Sequence, residues 1–337
     1  MNMKKVFTSV LAGAMVLSMA ACGGSGAASS EPAASAPSDA SAPASSETYN
    51  VGVCQLVEHV ALDAATQGFQ DALVAELGDA VKFDLQNAQG DANTCSTIIN
   101  GFVSTDVDLI LANATPALQA AAAGTNEIPI LGTSITEYGV ALEIDNFDGT
   151  VGGNISGTSD LAPLDEQAAM LNEWFPDAKN VGLLYCSAEA NSQYQVDVVS
   201  AELSAMGYNC TPYAFSDSND LSAICTTAAA ESDVIYVPTD NTVAANTGII
   251  DNICRPAGVP VIAGEEGICS GCGVATLSIS YYDLGYTTGE MAAKVLTGEA
   301  DISEMAIEYA PATPKYNAAI CADLGLTAPD GYVAIEQ

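Results

Sequence analysis

The sequence predicts an α/β protein built from two Rossmann-like lobes with parallel sheets, joined by a hinge. Two observations predict this fold. Short β-rich runs alternate with amphipathic helical stretches, as in parallel α/β sheets. The same elements then recur in order about 130 positions later, which indicates two similar halves. A single-sheet fold of this length is the alternative.

Four short matches establish the repeat. The segments at 50–53, 108–110, 128–130 and 139–141 recur at 180–183, 233–235, 259–261 and 273–275. We predict strands at 51–55, 81–86, 109–112 and 128–131 in the first half, and at 181–185, 209–214, 234–237 and 259–262 in the second. Intervening segments such as 62–77 and 194–206 carry apolar residues at helical spacing.

The first 48 residues predict export and attachment to a membrane. Lys4 and Lys5 precede an apolar run that is too short to span a bilayer as a mature helix. Small residues stand directly before Cys22, which resembles the lipobox of bacterial lipoproteins. We expect 1–21 to be a signal peptide, and 22–48, rich in Gly, Ala, Ser and Pro, to be a lipidated flexible tether. An ordinary secretory signal with an incidental Cys22 is the alternative.

Charge and cysteine content exclude some function classes. The chain has 42 acidic and 7 basic residues, and such a surface repels phosphate backbones, so we expect no nucleic-acid partner. Without Cys22, nine of the ten cysteines remain, an odd number, so at least one is free or intermolecular. Most lie in apolar segments and are expected to be small core residues. The Cys269 and Cys272 spacing favours a disulfide or two free thiols over redox catalysis.

Polar loops follow the predicted strands of both halves. In open parallel sheets, ligands bind beyond the carboxyl ends of the strands, so two facing sets of loops predict a cleft that closes around a small polar molecule. The polar residues expected there are Glu58, Thr115, Thr133, Ser134, Ser187, Asn191, Thr239, Asp240, Asn241 and Glu265. Hydroxyl groups and helix N-termini can hold a carboxylate, and an acid such as Asp240 can hold an ammonium. This combination suits a zwitterionic amino acid, although each residue could instead be a helix N-cap.

Catalytic patterns are missing from the sequence. His59 is the only histidine, so no second one is available for a metal site or a proton relay, and a structural His59 is favoured. The sequence contains no Gly-x-Ser-x-Gly elbow, Walker loop or dinucleotide-binding glycine pattern. We therefore expect a protein that is not an enzyme and that uses no metal or cofactor.

Several stretches resemble the substrate-binding proteins of ABC importers with the type I periplasmic fold, in particular the group for tryptophan and tyrosine uptake. The stretches are VGVCQLVEHVALDAATQGF (51–69), ILANATPALQA (110–120), GLLYCSAEANSQ (182–193), YVPTDNTVAA (236–245), PVIAGEEG (260–267) and SISYYDLG (278–285). This chain has Val60 where the group usually has proline. It has Thr136-Glu137-Tyr138 where the group usually has Thr-Asp-Pro, a change that can alter ligand preference.

The resemblance implies an aromatic or apolar amino-acid ligand, bound between the lobes and passed to an ABC permease and ATPase complex. Contacts implied for the ligand carboxylate are Thr133, Ser134, Ser187 and Asn191. Those implied for its ammonium, or for closing the cleft, are Glu58, Asp240 and Glu265. Tyr138, Tyr185 and Tyr281 are candidates to line the apolar end, and the last two are equally candidates for the core.

Three crossings between the lobes are implied as well. They give an N-terminal lobe of 49–155 plus 282–309 and a C-terminal lobe of 156–281 plus 310–337. We expect a monomer anchored outside the cytoplasm. The alternatives are a receptor of the same fold for a sugar, nucleoside or small peptide, a ligand-sensing module, or an exported thiol enzyme that uses Cys269 and Cys272.

Overall fold

A computed structural model describes residues 48–336 of the chain. The expected signal peptide, Cys22 and nearly all of the expected tether lie outside the described residues. No helix within 48–336 is long and apolar enough to cross a membrane.

Thirteen strands and twelve α-helices make up the described chain. The first part contains β1 (Tyr49–Gln55), α1 (Val60–Leu77), β2 (Val81–Asn87), α2 (Ala92–Thr105), β3 (Leu109–Asn113), α3 (Thr115–Gly124), β4 (Ile130–Ile135), α4 (Tyr138–Ala141) and β5 (Ile155–Ser159). The second part contains α5 (Leu164–Trp174), β6 (Asn180–Cys186), α6 (Ala190–Ala205), β7 (Asn209–Phe215), α7 (Ser218–Glu231), β8 (Val234–Val237), α8 (Asn241–Ala244), α9 (Thr247–Ala257), β9 (Val261–Ala263), α10 (Glu266–Cys272) and β10 (Ala275–Ser278). The last part contains α11 (Tyr281–Leu296), β11 (Glu308–Tyr309), β12 (Thr313–Tyr316), α12 (Ala318–Leu324) and β13 (Val333–Ala334).

The strands form two sheets, one in each lobe. The order in the N-terminal lobe is β11-β5-β4-β3-β1-β2, and the order in the C-terminal lobe is β13-β12-β10-β9-β8-β6-β7. All paired strands are parallel except β10 and β12. The central orders β4-β3-β1-β2 and β9-β8-β6-β7 are equivalent, which explains the sequence repeat. The two-lobed fold class predicted from the sequence is confirmed.

Each predicted strand has a counterpart, and the two that begin later than predicted follow prolines. The strands expected from 128 and 259 begin at Ile130 and Val261, directly after Pro129 and Pro260, because proline has no backbone N–H for the sheet ladder. Each sheet has an apolar cluster on both faces. The N-terminal lobe was expected to end at 155, but β5 pairs with β4, so the chain leaves this sheet only after Ser159.

The described cysteines are core residues. All nine have free thiols, and eight are buried. Five of them share one apolar cluster of the C-terminal lobe: Cys186, Cys225, Cys254, Cys269 and Cys272. The Cys272 thiol donates a hydrogen bond to the Ile268 carbonyl within α10. These thiols therefore serve as small apolar side chains, and α10 does not expose the Cys269 and Cys272 pair to solvent.

Glycines allow α1 and α11 to pack backbone to backbone. A Cβ added at Gly285 would lie well inside van der Waals contact with the Ala65 carbonyl, and one at Gly68 would meet the Tyr282 carbonyl. Because both obstacles are backbone atoms, no side-chain rotation can relieve them. This contact fixes α11, which follows the second crossing, against the N-terminal lobe.

We predict that Gly285→Ala destabilises the fold by about 1–3 kcal/mol, the usual cost of overpacking a core. Urea unfolding followed by circular dichroism measures this change. The matched control is Gly101→Ala on the exposed side of α2, where an added Cβ has no neighbour within 4 Å. This control is expected to stabilise by up to about 1 kcal/mol. Equal stability of the two variants would contradict the tight packing of α1 on α11.

Candidate functional site

A small cavity lies between the lobes, at the carboxyl ends of the two sheets. About 260 Å³ of empty space lies within it and its open mouth. Its lining residues come from both lobes and two crossings: His59, Leu62, Ser134, Thr136, Asp160, Asn191, Thr239, Asp240, Asn241, Ala244, Glu265 and Tyr281. Six residues predicted from the sequence as ligand contacts meet here: Ser134, Asn191, Thr239, Asp240, Asn241 and Glu265.

Ser134 is held at the cavity in a strained backbone conformation. The register between β4 and β5 shifts between Gly132 and Ile135, which produces a bulge. Ser134 lies in this bulge with φ of 57°, in the left-handed region that non-glycine residues seldom adopt. Its hydroxyl is buried and has no hydrogen-bond partner. Strain of this kind, combined with an unpaired polar group, is typical of a binding site.

Asp160 is a buried carboxylate with one unpaired oxygen. It directly follows β5, at the first crossing. Its Oδ2 accepts a hydrogen bond of 2.7 Å from the Tyr281 hydroxyl, at the start of α11. Its Oδ1 is buried without a partner. Burial raises the pKa of the Asp160 carboxyl above its usual range. No Lys or Arg side chain lies beside Oδ1, because none lines the cavity.

Asn191 supplies a second unpaired acceptor. Its Nδ2 donates to the Thr239 carbonyl at 3.0 Å, while its Oδ1 is buried without a partner. No Lys or Arg lines the cavity. Because buried polar groups are nearly always paired, the oxygens of Ser134, Asp160 and Asn191 together indicate a polar ligand that carries its own positive charge.

Asp240 and Glu265 line the cavity but already hold loops in place. Asp240 accepts from the backbone N–H groups of Cys186 at 2.7 Å and Val243 at 2.9 Å. Glu265 caps α10 by accepting from the backbone N–H groups of Gly267 and Ile268. The oxygens expected to contact a ligand ammonium are thus already engaged, so the free acceptor near them is Asp160.

Burial raises the pKa of both these acids to about 7. The nearby Glu189 carboxylate also raises the pKa of Asp240. Their backbone N–H partners act in the opposite direction, because they stabilise the ionised form.

Three expected contact residues lie in the core of the N-terminal lobe instead. Tyr138 is only 1% exposed, and its hydroxyl donates to the Thr158 carbonyl at 3.1 Å. A Cβ at Gly132 would collide with this hydroxyl, so the glycine leaves room for the Tyr138 ring beneath the sheet. Thr133 and Thr115 are also buried, and Thr133 Oγ1 accepts from the Thr158 hydroxyl at 3.3 Å.

The other expected residues outside the cavity are Glu58, Ser187 and Tyr185. Glu58 is exposed and lines a separate surface depression of the N-terminal lobe. Ser187 is exposed as well and donates to the Phe215 carbonyl at 3.1 Å. Tyr185 belongs to the core of the C-terminal lobe, and its hydroxyl donates to Gln193 Oε1 at 3.0 Å. Of the three tyrosines considered for the apolar end, only Tyr281 lines the cavity.

His59 also lines the cavity, although the sequence favoured a structural role. Its Nε2 lies 3.3 Å from Asn241 Oδ1 in the opposite lobe. Burial lowers the pKa of His59, and the hydrogen bond with Asn241 opposes that shift. The sequence reading also missed Leu62, Thr136, Asp160 and Ala244. Asp160 could have been found from the sequence, because it directly follows a strand-forming run, as the predicted cleft residues of both halves do.

Residues 50–330 match the family described as ABC transporter substrate binding protein. This chain belongs to that family. A curated relative, the Tyrosine-binding protein of Clostridioides difficile strain R20291, is 35% identical over 300 residues, covering 88% of this chain and 85% of the relative. The family and the type I periplasmic fold expected from the sequence are confirmed. Substrate-binding proteins of ABC transporters act outside the cytoplasm.

Two solved structures of relatives match this substrate-binding protein to different degrees. An ABC domain from Streptococcus pneumoniae in complex with L-Trp is 30% identical with a TM-score of 0.81. A ligand-free, open substrate-binding protein with adhesive properties from Clostridium difficile is 35% identical with a TM-score of 0.65. Each covers 86% of this chain and 100% of its own. The chain is thus more similar in structure to the bound relative, although its sequence is closer to the open one.

We predict a pH-dependent stability that originates at Glu265. The folded state keeps the Glu265 proton up to about pH 7, whereas the unfolded chain loses it near 4.5. The contribution of Glu265 to the free energy of unfolding is therefore complete below about pH 4.5, and it is lost as the pH rises through 7. The free energy of unfolding should fall with pH more steeply in the wild type than in Glu265→Gln, by at most about 1.4 kcal/mol per pH unit.

Urea unfolding between pH 4.5 and 7 measures these slopes. The matched control, Glu127→Gln, changes an exposed carboxylate and should keep the wild-type slope. A Glu265→Gln slope equal to that of the wild type would show that Glu265 does not carry the effect.

Proposed function

We propose that this protein is a lipid-anchored receptor that captures an amino acid with an aromatic or large apolar side chain for an ABC importer. The observation that carries the proposal is the set of three unpaired buried oxygens, on Ser134, Asp160 and Asn191, in a cavity without Lys or Arg. A relative named for tyrosine binding and a similar structure that holds L-Trp support the same ligand class.

The zwitterionic head of an amino acid matches these three atoms. Its ammonium can donate to Asp160 Oδ1 and Asn191 Oδ1, which neutralises the buried Asp160 carboxylate. Its carboxylate can accept from the Ser134 hydroxyl, beside the hydroxyls of Thr136 and Thr239 that also line the cavity. A ligand without an ammonium would leave the buried Asp160 carboxylate without a countercharge, which costs free energy.

The lining of the cavity favours an amino acid over a sugar. Sugar sites often stack aromatic rings on both faces of the ligand, and among the lining residues only Tyr281 has a phenyl-type ring. The zwitterion therefore accounts for the lining better than a neutral polyol does.

Binding at this position favours the closed lobes, because the ligand contacts both lobes and a crossing at once. The closed form would then be recognised by the permease and ATPase complex, which accepts the amino acid. Diacylation of Cys22 and the tether 22–48 would keep the monomeric receptor near that complex, which raises its local concentration there.

Calorimetric titration of the protein with each of the twenty amino acids tests the proposal, and absence of binding by all of them would refute it.

We predict that Asp160→Asn lowers the affinity for the preferred amino acid about ten- to a hundred-fold, the effect of losing a charge-assisted hydrogen bond in a dry site. The control Asp165→Asn removes an exposed carboxylate from the first turn of α5 and should bind as the wild type does. Equal affinities of the two variants would remove Asp160 from the site.

We also predict that Cys22→Ser releases the protein from the membrane. Serine cannot accept the thioether-linked lipid, so the two acyl chains needed for lasting attachment are lost. Immunoblots of membrane and soluble fractions, with Cys54→Ser as the control, measure the change. A Cys22→Ser protein that stays in the membrane fraction would contradict lipidation at this residue.

A further inference from the structure

The Asp160 carboxyl group takes its orientation from Tyr281. The backbone N–H of Asp160 donates to the Ile135 carbonyl at 3.1 Å, so the edge of the sheet fixes the main chain here. In the side chain, Oδ2 accepts from the Tyr281 hydroxyl at 2.7 Å, and Oδ1 is buried without a partner. The Tyr281 hydroxyl therefore sets the plane of the carboxyl group.

Tyr281 is itself held in place by helix packing. It is the first residue of α11, and it shares a small apolar cluster with Ala61 and Ala65 of α1. The backbones of the two helices are in close contact at Gly285, where an added Cβ would meet the Ala65 carbonyl. The position of the Tyr281 hydroxyl is thus determined by the N-terminal lobe, independently of any ligand.

Tyr281 is the donor in this hydrogen bond. Burial raises the pKa of the Tyr281 hydroxyl well above its usual range, and the charge of Asp160 raises it further. The hydroxyl therefore keeps its proton and offers it to Oδ2. A phenylalanine ring would fill the same space without this donor.

The hydrogen bond also favours the charged form of Asp160. Burial raises the pKa of the Asp160 carboxyl, whereas the hydroxyls of Tyr281 and Thr136 lower it. Only the ionised carboxylate can form a charge-assisted hydrogen bond with an ammonium group. The Tyr281 hydroxyl thus acts against the effect of burial and keeps the carboxyl group in the form that an amino acid requires.

The other titratable groups around Asp160 do not replace this donor. Burial, and after it the charge of Asp160, raises the pKa values of Glu265 and Tyr138. Asp240 and His59 line the same cavity, from the starts of α8 and α1. Burial lowers the pKa of His59, which favours the neutral imidazole. None of these four groups gives the Asp160 carboxylate a positive neighbour.

We infer that Tyr281 is a positioning residue that selects ligands with an ammonium group, because it holds the Asp160 carboxylate with Oδ1 free for the ligand. Asp160 contacts the ligand, and Tyr281 acts through Asp160. The ammonium then meets a carboxylate that is already oriented, beside Asn191 Oδ1. This inference rests on the amino-acid receptor function proposed above, and it adds the residue that prepares the site before the ligand arrives.

Tyr281→Phe tests this role, because it keeps the ring and removes the donor. Calorimetry with L-tyrosine and L-tryptophan between pH 5 and 8 measures the affinity. At pH 6, Tyr281→Phe should bind about five- to ten-fold more weakly than the wild type, the factor for one hydrogen bond. The difference should shrink toward pH 8, because a carboxyl group without its donor ionises at a higher pH. In an Asp160→Asn background, the same substitution should change the affinity less than about two-fold, because the two residues act as one unit.

Proton release gives a second measure, which a purely structural role of Tyr281 would not change. Titrations in two buffers with different heats of ionisation count the protons released on binding. At pH 6, Tyr281→Phe should release more protons per bound ligand than the wild type, since more of its free carboxyl group is protonated. The matched control, Tyr208→Phe, removes a hydroxyl that donates to Asn172 Oδ1 at 2.8 Å within the C-terminal lobe. It should match the wild type in both measurements.

The outcomes separate the two proposals. If the wild type binds amino acids and Tyr281→Phe binds them equally well, Tyr281 does not position Asp160, and the receptor function stands. A loss of affinity that is the same at every pH and in the Asp160→Asn background has the same meaning, as does unchanged proton release. If the wild type binds none of the twenty amino acids, the receptor function fails and this inference fails with it.

Discussion

The hydrogen bond from Tyr281 to Asp160 joins two of the three segments that cross between the lobes. It satisfies one oxygen of a buried carboxylate, and it leaves the other oxygen without a partner. Much of the site depends on this arrangement. The buried Asp160 is costly unless a positive donor arrives, and Asp160 and Tyr281 lie on segments that connect the two lobes. A donor bound there would therefore contact the connecting segments as well as the edges of the cleft.

The acidic composition of the chain is compatible with this site because several carboxylates near the cleft and at helix starts are paired with backbone N–H groups. In the described chain, the three ion pairs involve only Arg255 and Lys315. Acidic side chains accept from backbone N–H groups as α-helix N-caps at five positions: Asp91, Glu137, Asp217, Asp240 and Glu265. Caps hold the loops at the carboxyl ends of the strands without any cation. The one positive charge that the cavity requires can then come from the ligand.

The fold was largely predictable from the sequence, and the site was predictable only in part. Repeated strand motifs determine which elements pair, so the topology follows from them. Residues at strand ends, such as Asn191 and Ser134, could be placed in the cleft for the same reason. Tyr138 could not, because its burial depends on the space left by Gly132 in an adjacent strand. Asp160 was missed because pairing of β5 with β4 moves the crossing past Ser159, and pairing across a sheet is not visible in local sequence. The engagement of Asp240 by the Cys186 and Val243 amides is likewise a tertiary contact.

The close packing of α11 on α1 determines where the molecule can bend. Gly68 and Gly285 bring the two helix backbones together with no layer of side chains between them, so the contact has no rotamers that could let one helix slide on the other. Residue 281 begins α11 and also holds Asp160, so the N-terminal lobe is stiff up to that point. Opening must then be absorbed by a few backbone torsions in the crossing segments. Because these segments are short and lie at one edge of the cleft, a small rotation about them would move the rim of the cleft much further than it moves Asp160.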